Sequence, residues 1–273
     1  MRVYLSRGVK SRLRRLGAQS PLDAALLDPD LGRHVGRVRL SLEPKVVSGV
    51  EVSAWRRGLE RLSTGCRMLD RLLGGGLEVG YVYELAGEFG AGKTQLCHQL
   101  AVMVQLPRER GGLSGRALYI DTEGTFRPER IISMARYRGL DPEEALRRVL
   151  VASAVSQVEL AELVLSLERF KVDLVVIDSL AYPFAAPRSV GEARRAWGRM
   201  AAILKRLALW GGVAVVTNAV RDGRVVGDPY ASMWVDRRLL LKPLGEGLVE
   251  ASLVLPRSSS CRLRLAEEGV LDA

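Results

Sequence analysis

The residues best suited to chemistry are the eight at positions 87–94, which read GEFGAGKT. They match the phosphate-binding loop pattern G-x-x-x-x-G-K-[ST] at every fixed position. In such a loop, glycines let successive backbone N–H groups point at one anion beside a helix N-terminus, where the helix dipole also favours negative charge. We therefore expect the Lys93 ammonium to reach the β- and γ-phosphates of a nucleotide and the Thr94 hydroxyl to ligate magnesium.

The sequence on either side of this loop has the composition that the motif requires. Residues 81–85, YVYEL, are aromatic and apolar, which suits a buried strand. Residues 95–106 carry Leu96, Leu100 and Val104 at helical spacing. Strand, loop and helix therefore follow in the expected order, and this order disfavours the alternative of a glycine-rich turn with an exposed lysine.

Two acidic residues follow further apolar segments. Residues 172–178 form a nearly continuous apolar run that ends in Asp178, and Glu123 follows the similar run 117–121. Because open α/β sheets bind ligands beyond the carboxyl ends of their strands, we expect Asp178 to hold magnesium through water. Glu123 is a candidate for positioning and activating the water that attacks a γ-phosphate. The residues alone leave an alternative open, in which Glu123 caps the helix that begins near Pro128.

Predicted strands and helices alternate along most of the chain. The predicted strands cover residues 81–85, 117–121, 149–155, 172–178 and 213–218. The main predicted helices cover residues 95–106, 157–170 and 192–210, and a further helix begins after Asp141 as its N-cap. Residues 219–235 are predicted to form a flexible, partly basic loop, and residues 237–242, 249–255 and 261–265 an antiparallel meander. This order predicts an α/β fold, with a mostly parallel doubly wound sheet and a C-terminal β meander.

The first 58 residues differ from the rest in charge. They hold twelve basic and five acidic residues, a net charge of +7 out of the +10 of the whole chain. Such a basic balance suits a polyanionic partner such as DNA. Two short helices predicted at residues 12–16 and 22–27 could form a helix-hairpin-helix that offers backbone N–H groups to phosphates, or a solvated basic cap, and the sequence leaves both open. We predict a small basic helical domain with a linker at residues 1–58 and a nucleotide-binding core at residues 59–273.

The compartment is predicted from the cysteines and from the N-terminus. Cys66, Cys97 and Cys261 are far apart and show no metal-ligand or disulfide spacing, which favours a reducing cytosol. The N-terminus is interrupted by charges and lacks the apolar core of a signal peptide. No apolar run approaches the length that crosses a membrane. We therefore expect a cytoplasmic protein with no membrane partner.

Two long segments carry a specific resemblance. They are residues 87–100, GEFGAGKTQLCHQL, and residues 119–131, YIDTEGTFRPERI. With most of residues 62–220 they closely resemble the archaeal RadA recombinases and their eukaryotic counterparts in the RecA superfamily. The resemblance implies a RecA-type ATPase core that uses ATP and Mg²⁺, binds single-stranded or double-stranded DNA, and serves DNA recombination and repair. The first sixty residues look like a degenerate version of the family's N-terminal helix-hairpin-helix domain.

The resemblance also implies roles for individual residues. Glu123 and Lys93 take catalytic positions, and Arg130 takes the position that packs on the nucleotide base. The implied nucleotide-binding residues are Gly87, Glu88, Phe89, Gly90, Ala91, Gly92, Lys93, Thr94, Gln95 and Arg130. The implied magnesium ligands are Thr94 and Asp178. The implied DNA contacts, in the loops at residues 182–191 and 221–235, are Arg188, Arg221 and Arg224.

Several positions depart from the recombinase pattern. Val46 and Gly49 stand where the family's self-assembly motif has Phe and Ala, and Ala219 stands where recombinases carry a Gln that senses the γ-phosphate. The segment 46–49, extended in propensity, could add a strand to a neighbour's sheet or be an ordinary linker. Both DNA-binding loops look shortened. These departures favour a RadB-like accessory paralogue with weak ATPase activity, whose partner is a RadA recombinase or another recombination protein.

Two other functions are the alternatives. One is a full RadA-type recombinase that exchanges strands and forms filaments on single-stranded DNA. The other is a RecA-fold regulatory ATPase without a DNA role. The sequence does not fix the oligomeric state, so an oligomer is compatible with each of them.

Overall fold

The computed structural model describes residues 48–50, 53–54, 58–184, 190–228, 231–255 and 258–273. Residues 49–50 and 53–54 are helical, so the extended conformation predicted for residues 46–49 is wrong at Gly49. The helices predicted at residues 12–16 and 22–27, the position Val46 and the predicted DNA contact Arg188 lie outside the described residues. Within the described ranges, no helix is both long and apolar enough to cross a membrane.

A two-stranded ribbon and a short helix precede the main sheet. The strands are β1 (Arg61–Leu62), β2 (Leu77–Glu78), β3 (Val82–Gly87), β4 (Ala117–Asp121), β5 (Val149–Ser153), β6 (Leu174–Asp178), β7 (Val213–Arg221), β8 (Arg224–Val225), β9 (Arg237–Gly245), β10 (Leu248–Leu255), β11 (Ser259–Ala266) and β12 (Gly269–Asp272). The α-helices are α1 (Arg67–Leu73), α2 (Lys93–Met103), α3 (Pro128–Tyr137), α4 (Pro142–Arg147), α5 (Gln157–Leu165), α6 (Leu167–Phe170) and α7 (Val190–Trp210).

The main sheet has ten strands, in the order β12-β11-β10-β9-β3-β7-β6-β4-β5 with β8 paired to β7. Neighbours from β9 through β3, β7, β6 and β4 to β5 run parallel, whereas β9 to β12 pair antiparallel. The predicted α/β fold, a mostly parallel doubly wound sheet with a C-terminal β meander, is confirmed. The meander continues the main sheet because β9 pairs in parallel with β3, and it contains a further strand, β12, that the sequence pattern did not predict.

Apolar side chains cover both faces of the sheet, which explains the nearly continuous apolar strands. On one face, Val213 and Val215 of β7 belong to a cluster with Leu100 of α2. On the other face, Val216 belongs to a cluster with Ile203 of α7. Side chains of β7 thus alternate between the α2 face and the α7 face, as the strand period of two requires.

The largest departure from the predicted elements follows β7. The predicted strand at residues 213–218 extends to Arg221 and turns back into β8, so the prediction of a flexible loop is wrong for residues 219–225. Asp222 and Gly223 form the turn with φ of 50° and 71°. Positive φ at both residues is the type I′ geometry, in which Asp-Gly is favoured because the turn matches the twist of the flanking strands.

Two helices show how far the sequence signals hold. The helix predicted at residues 157–170 is interrupted at Ser166, which leaves the helical conformation between α5 and α6. Helix α4 begins as predicted, because the Asp141 carboxylate accepts the backbone N–H of Glu144 at 2.8 Å and Pro142 occupies its first position. The capping residues therefore predicted the start of α4 correctly, whereas the helical spacing of apolar residues did not predict the break between α5 and α6.

Candidate nucleotide-binding site

The phosphate loop joins β3 to α2 at the carboxyl edge of the sheet. A cavity of about 590 Å³ lies over it. Gly90 and Gly92 have φ of 77° and 82°, in the left-handed region that favours glycine. A Cβ on Gly92 would also lie 2.7 Å from the Leu265 side chain. The turn into α2 therefore favours glycine at this position, and a larger residue would also have to displace the Leu265 side chain of β11.

Lys93 lies across the loop that precedes it. Its Nζ donates to the carbonyl oxygens of Gly87 at 2.9 Å and Glu88 at 2.7 Å. Burial lowers the pKa of Lys93, and the nearby carboxylates Asp178 and Glu123 partly oppose this shift. The structure thus brings the predicted lysine and both predicted acidic residues to one place.

The Asp178 carboxylate is buried at the end of β6 and is engaged on both oxygens. Its Oδ2 accepts the hydroxyl of Tyr119 at 2.6 Å, and its Oδ1 accepts the hydroxyl of Thr217 at 2.5 Å. In the described part of the chain, no group of three His, Cys, Asp or Glu side chains could hold a metal ion by itself. A magnesium ion here would depend on phosphate oxygens, which is the usual mode for Mg²⁺ bound with a nucleotide.

The loop after β4 is wrapped around a second carboxylate. Asp121 Oδ1 accepts the backbone N–H groups of Glu123, Gly124 and Thr125 at 3.1, 2.8 and 3.1 Å. Its Oδ2 accepts the N–H of Phe126 at 2.9 Å. Charge-assisted hydrogen bonds of this kind are stronger than neutral ones, so Asp121 fixes the path of the loop that carries Glu123. The sequence pattern predicts Asp121 only as the end of a strand.

Glu123 is exposed in the cavity and its carboxylate accepts a hydrogen bond from the Ser179 hydroxyl. It does not cap the following helix. The N-cap of α3 is Arg127, which has no side-chain cap hydrogen bond. The capping alternative for Glu123 is therefore wrong, and its carboxylate is available at the rim of the sheet.

His98 joins the phosphate-loop helix to the Glu123 loop. Its Nδ1 lies 2.7 Å from the Thr94 carbonyl oxygen, and its Nε2 lies 3.0 Å from the backbone nitrogen of Arg127. A carbonyl only accepts and an N–H only donates, so the proton is on Nδ1 and Nε2 accepts. Burial lowers the pKa of His98, which favours this neutral form. The ring also stacks on Phe126 at 5.2 Å between centroids.

The C-terminal strands form the opposite wall. Arg130 donates to the Ala266 carbonyl at 3.1 Å, and Gln95 donates to the same oxygen at 2.6 Å and to Gly269 at 2.9 Å. Leu265 lines the cavity beside them. This wall was not predicted from the sequence, because no local signal relates β11 to a loop far earlier in the chain.

One cavity collects most of the residues that the sequence singled out. The predicted residues that line it are Gly87, Glu88, Phe89, Gly90, Ala91, Gly92, Lys93, Thr94, Gln95, Glu123, Arg130, Asp178 and Arg221. Arg224 is exposed on the hairpin beyond it. Among the described residues, the Thr125 hydroxyl is buried without a hydrogen-bond partner and lines the same cavity, as a group that binds a polar ligand would. The individual roles of these residues stay predictions.

Comparison with known proteins agrees with this geometry. The family model described as Rad51 matches residues 55–267. The chain is 39% identical over 239 residues to the DNA repair and recombination protein RadA of Metallosphaera sedula, an alignment that covers 82% of this chain and 74% of that protein. The chain therefore belongs to the Rad51 family, whose members are ATP-dependent proteins of DNA repair and recombination.

Proposed function

We propose that this protein binds ATP with magnesium, hydrolyses it slowly, binds DNA, and acts with a RadA-type recombinase as an accessory recombination protein. One observation supports the proposal above all others. The phosphate loop, Glu123 and Asp178 line one cavity, whereas Ala219, paired with Gly87 at its edge, contributes only a methyl group. The groups for hydrolysis are thus present without the side chain through which recombinases sense the γ-phosphate.

The residues of the cavity fit a magnesium nucleotide. Backbone N–H groups of the loop and the Lys93 ammonium would bind the phosphates. Thr94 and Asp178 would hold the magnesium ion, Asp178 through water because hydroxyls already engage both of its oxygens. The ion, when bound, neutralises charge that develops on the phosphates. The unpaired Thr125 hydroxyl offers a further polar contact.

We expect Glu123 to activate the attacking water. The Ser179 hydroxyl orients its carboxylate, while Asp121 and His98 hold the backbone of its loop. A general base needs this kind of fixed position before its basicity matters. Glu123 would accept a proton from the water, and Lys93 would stabilise the negative charge on the phosphate that is attacked.

The DNA surface that we propose combines two basic regions. Arg221 and Arg224 are exposed on the β7–β8 hairpin, beside the nucleotide cavity. Residues 1–58, of which the structure describes only 48–50, 53–54 and 58, and Arg188 would supply further positive charge. Phosphate contacts by such side chains give affinity without base specificity.

Two features favour an accessory role over strand exchange. Ala219 cannot hydrogen-bond a γ-phosphate, and the amide of its neighbour Asn218 is already engaged by Glu84 at 2.7 Å and by the Val226 carbonyl at 2.8 Å. Both ends of the β7–β8 hairpin, which stands in place of a longer loop, are held by Asn218 and Arg238, so we expect its backbone to stay in place when ATP is hydrolysed. We place the protein in the cytoplasm, because all three cysteines are free thiols.

The deciding experiment is strand exchange by a purified RadA recombinase with and without this protein, compared with this protein alone. We expect no exchange by this protein alone and a changed rate or yield when it is added to RadA. Exchange by this protein alone, together with regular filaments on single-stranded DNA, would establish the full recombinase instead. Absence of any salt-dependent DNA binding would favour the regulatory ATPase.

A further inference from the structure

Strand β7 carries an arginine to the nucleotide cavity. Val215 packs on the α2 face of the sheet, and Thr217 hydrogen-bonds Asp178 on that face. Because strand side chains alternate, Ala219 and Arg221 lie on the same face as Val215. Arg221 follows Ala219 by about 7 Å along the strand. Both residues line the cavity that contains the phosphate loop.

The hairpin places two like charges side by side. Arg221 and Arg224 are directly paired across its two strands, next to the Asp222–Gly223 turn. Like charges at directly opposite positions destabilise a strand pair, whereas an anion between or beside them removes that cost. Within the described residues, the Arg221 guanidinium has neither a hydrogen-bond nor an ion-pair partner. Its position and charge are therefore suited to an anionic ligand.

A buried network fixes the hairpin relative to the phosphate loop. Asn218 donates to the buried Glu84 carboxylate at 2.7 Å and to the Val226 carbonyl at 2.8 Å. Arg238 donates to Glu84 at 2.5 Å and makes two contacts of 2.7 Å with Asp228. Both ends of the hairpin are thus connected to one carboxylate on β3, the strand that leads directly into the phosphate loop.

We propose that Arg221 contacts the terminal phosphate of ATP bound in the same chain. A guanidinium matches phosphate oxygens with two parallel N–H groups, and Arg221 lines the cavity with Lys93 and Thr94. ADP lacks the terminal phosphate, so the contact distinguishes the two nucleotides. Arg221 thereby contacts the terminal phosphate of ATP, which the methyl group of Ala219 cannot hydrogen-bond. The inference rests on the proposed ATP-binding function.

The contact between Arg221 and the terminal phosphate would stabilise the bound nucleotide without moving the backbone of the hairpin. An arginine beside the terminal phosphate stabilises the charge that develops during transfer, whether it comes from the same chain or from a partner. Since the network on Glu84 holds the hairpin, binding of ATP gives the Arg221 side chain a partner and leaves the backbone in place.

The test is nucleotide binding by the full chain and by Arg221→Ala. Affinities for ADP and for a non-hydrolysable ATP analogue are measured with magnesium, together with the steady-state rate of ATP hydrolysis. We expect the ATP analogue to bind about tenfold more weakly to the variant, as loss of a charge-assisted contact predicts, and ADP affinity to change less than about twofold. Hydrolysis at saturating ATP should also fall by about tenfold or more.

Two further variants make the result specific. Arg262→Ala removes the same charge from β11, where alternation with the buried Leu263 places Arg262 on the sheet face away from the cavity, so both affinities should be unchanged. Arg221→Lys keeps the charge but lacks the two parallel N–H groups of the guanidinium, so it should retain only part of the ATP preference. Because Arg221 is exposed and its removal relieves a like-charge pair, the unfolding midpoint of Arg221→Ala should not fall below that of the parent. An equal loss of ATP preference in Arg224→Ala would show a general effect of hairpin charge and overturn the proposal.

The outcomes separate this inference from the proposed function. If the parent protein binds neither nucleotide, the proposed function is wrong and the inference fails with it. If the parent binds and hydrolyses ATP while Arg221→Ala keeps the parental ratio of ATP-analogue to ADP affinity, only the role of Arg221 is wrong.

Discussion

Glu123 offers the sharpest test at the scale of single residues. Glu123→Gln keeps the shape of the side chain but loses the basic carboxylate, so we expect ATP to bind normally while turnover falls about 100-fold or more, as is typical when a general base is lost. Nucleotide titration and steady-state hydrolysis measure the two effects. Glu129→Gln, an exposed glutamate at the start of α3 outside the cavity, is the matched control. Parental turnover in Glu123→Gln would mean that another group activates the water.

His98 predicts how stability depends on pH. Burial lowers its pKa below the value of about 6.5 of an unfolded chain. As the pH falls, the unfolded chain therefore takes up this proton first. The stability that His98 contributes is complete above about pH 6.5 and is lost as the pH falls from there through the lower folded-state pKa.

The measurement is the free energy of unfolding at about pH 7.5 and at about pH 5.5, in the parent and in His98→Gln. The variant cannot take up the proton, so we expect its free energy of unfolding to fall less over this interval. Carboxylates titrate equally in both proteins and cancel in the comparison. An equal fall in the two proteins would contradict the neutral, buried state of His98.

The sequence predicted some residues of the site and not others for a physical reason. Lys93, Glu123 and Asp178 were predicted because the chemistry fixes both their type and their distance from a phosphate loop or strand end. Asp121 and His98 were not, because they act on the backbone N–H groups of a loop. The path of that loop cannot be predicted from side-chain types. Acidic and imidazole side chains that follow a strand or lie in a helix are often simply solvated or buried and hold no loop.

At the scale of elements, the fixed hairpin makes a prediction about coupling. Allostery requires a contact that differs in energy between the two states and an element that moves. Ala219 supplies no such contact, the proposed Arg221 contact changes only one of the basic side chains available to DNA, and the hairpin backbone is held on both sides by Asn218 and Arg238. We therefore expect DNA affinity to differ between the ATP-analogue and ADP forms by less than the several-fold that corresponds to about 1 kcal/mol of coupling.

DNA titrations in both nucleotide states, for the parent and for Ala219→Gln, measure this coupling. A preference of about tenfold or more for the ATP-analogue form in the parent corresponds to about 1.4 kcal/mol of coupling. Such a preference would show that a switch survives without the Gln and would support the full-recombinase alternative. A preference that arises only in Ala219→Gln would show that the missing side chain sets the coupling.

The elements themselves were predictable where the signal is local. Alternating strands and helices gave the α/β class, and Asp141 with Pro142 gave the start of α4. The parallel pairing of β9 with β3 was not predictable, because an apolar strand has the same composition beside a parallel or an antiparallel neighbour. The hairpin did have a local signal, the Asp222–Gly223 pair between two short β-prone segments, which the interpretation as a flexible loop overlooked.

At the scale of the whole molecule, charge predicts how DNA binding responds to salt. Residues 1–58 carry +7 of the net +10. Each phosphate that a basic side chain neutralises adds about 0.7–0.9 to the slope of log affinity against log salt. Deleting residues 1–58 should therefore flatten this slope, measured by DNA titration at several salt concentrations. An unchanged slope would mean that the charge of this segment faces solvent and does not contact DNA.

The wall formed by the C-terminal strands has a consequence for the synthesis of the protein. Gln95 in the phosphate-loop helix and Ala266 in that wall are 171 residues apart in the chain. A growing polypeptide thus exposes its phosphate loop long before the ribosome has added the residues that close the cavity. A ligand stabilises only those conformations that bind it. ATP therefore gives no stabilisation through this wall to the nascent chain until β11 and β12 have emerged and docked.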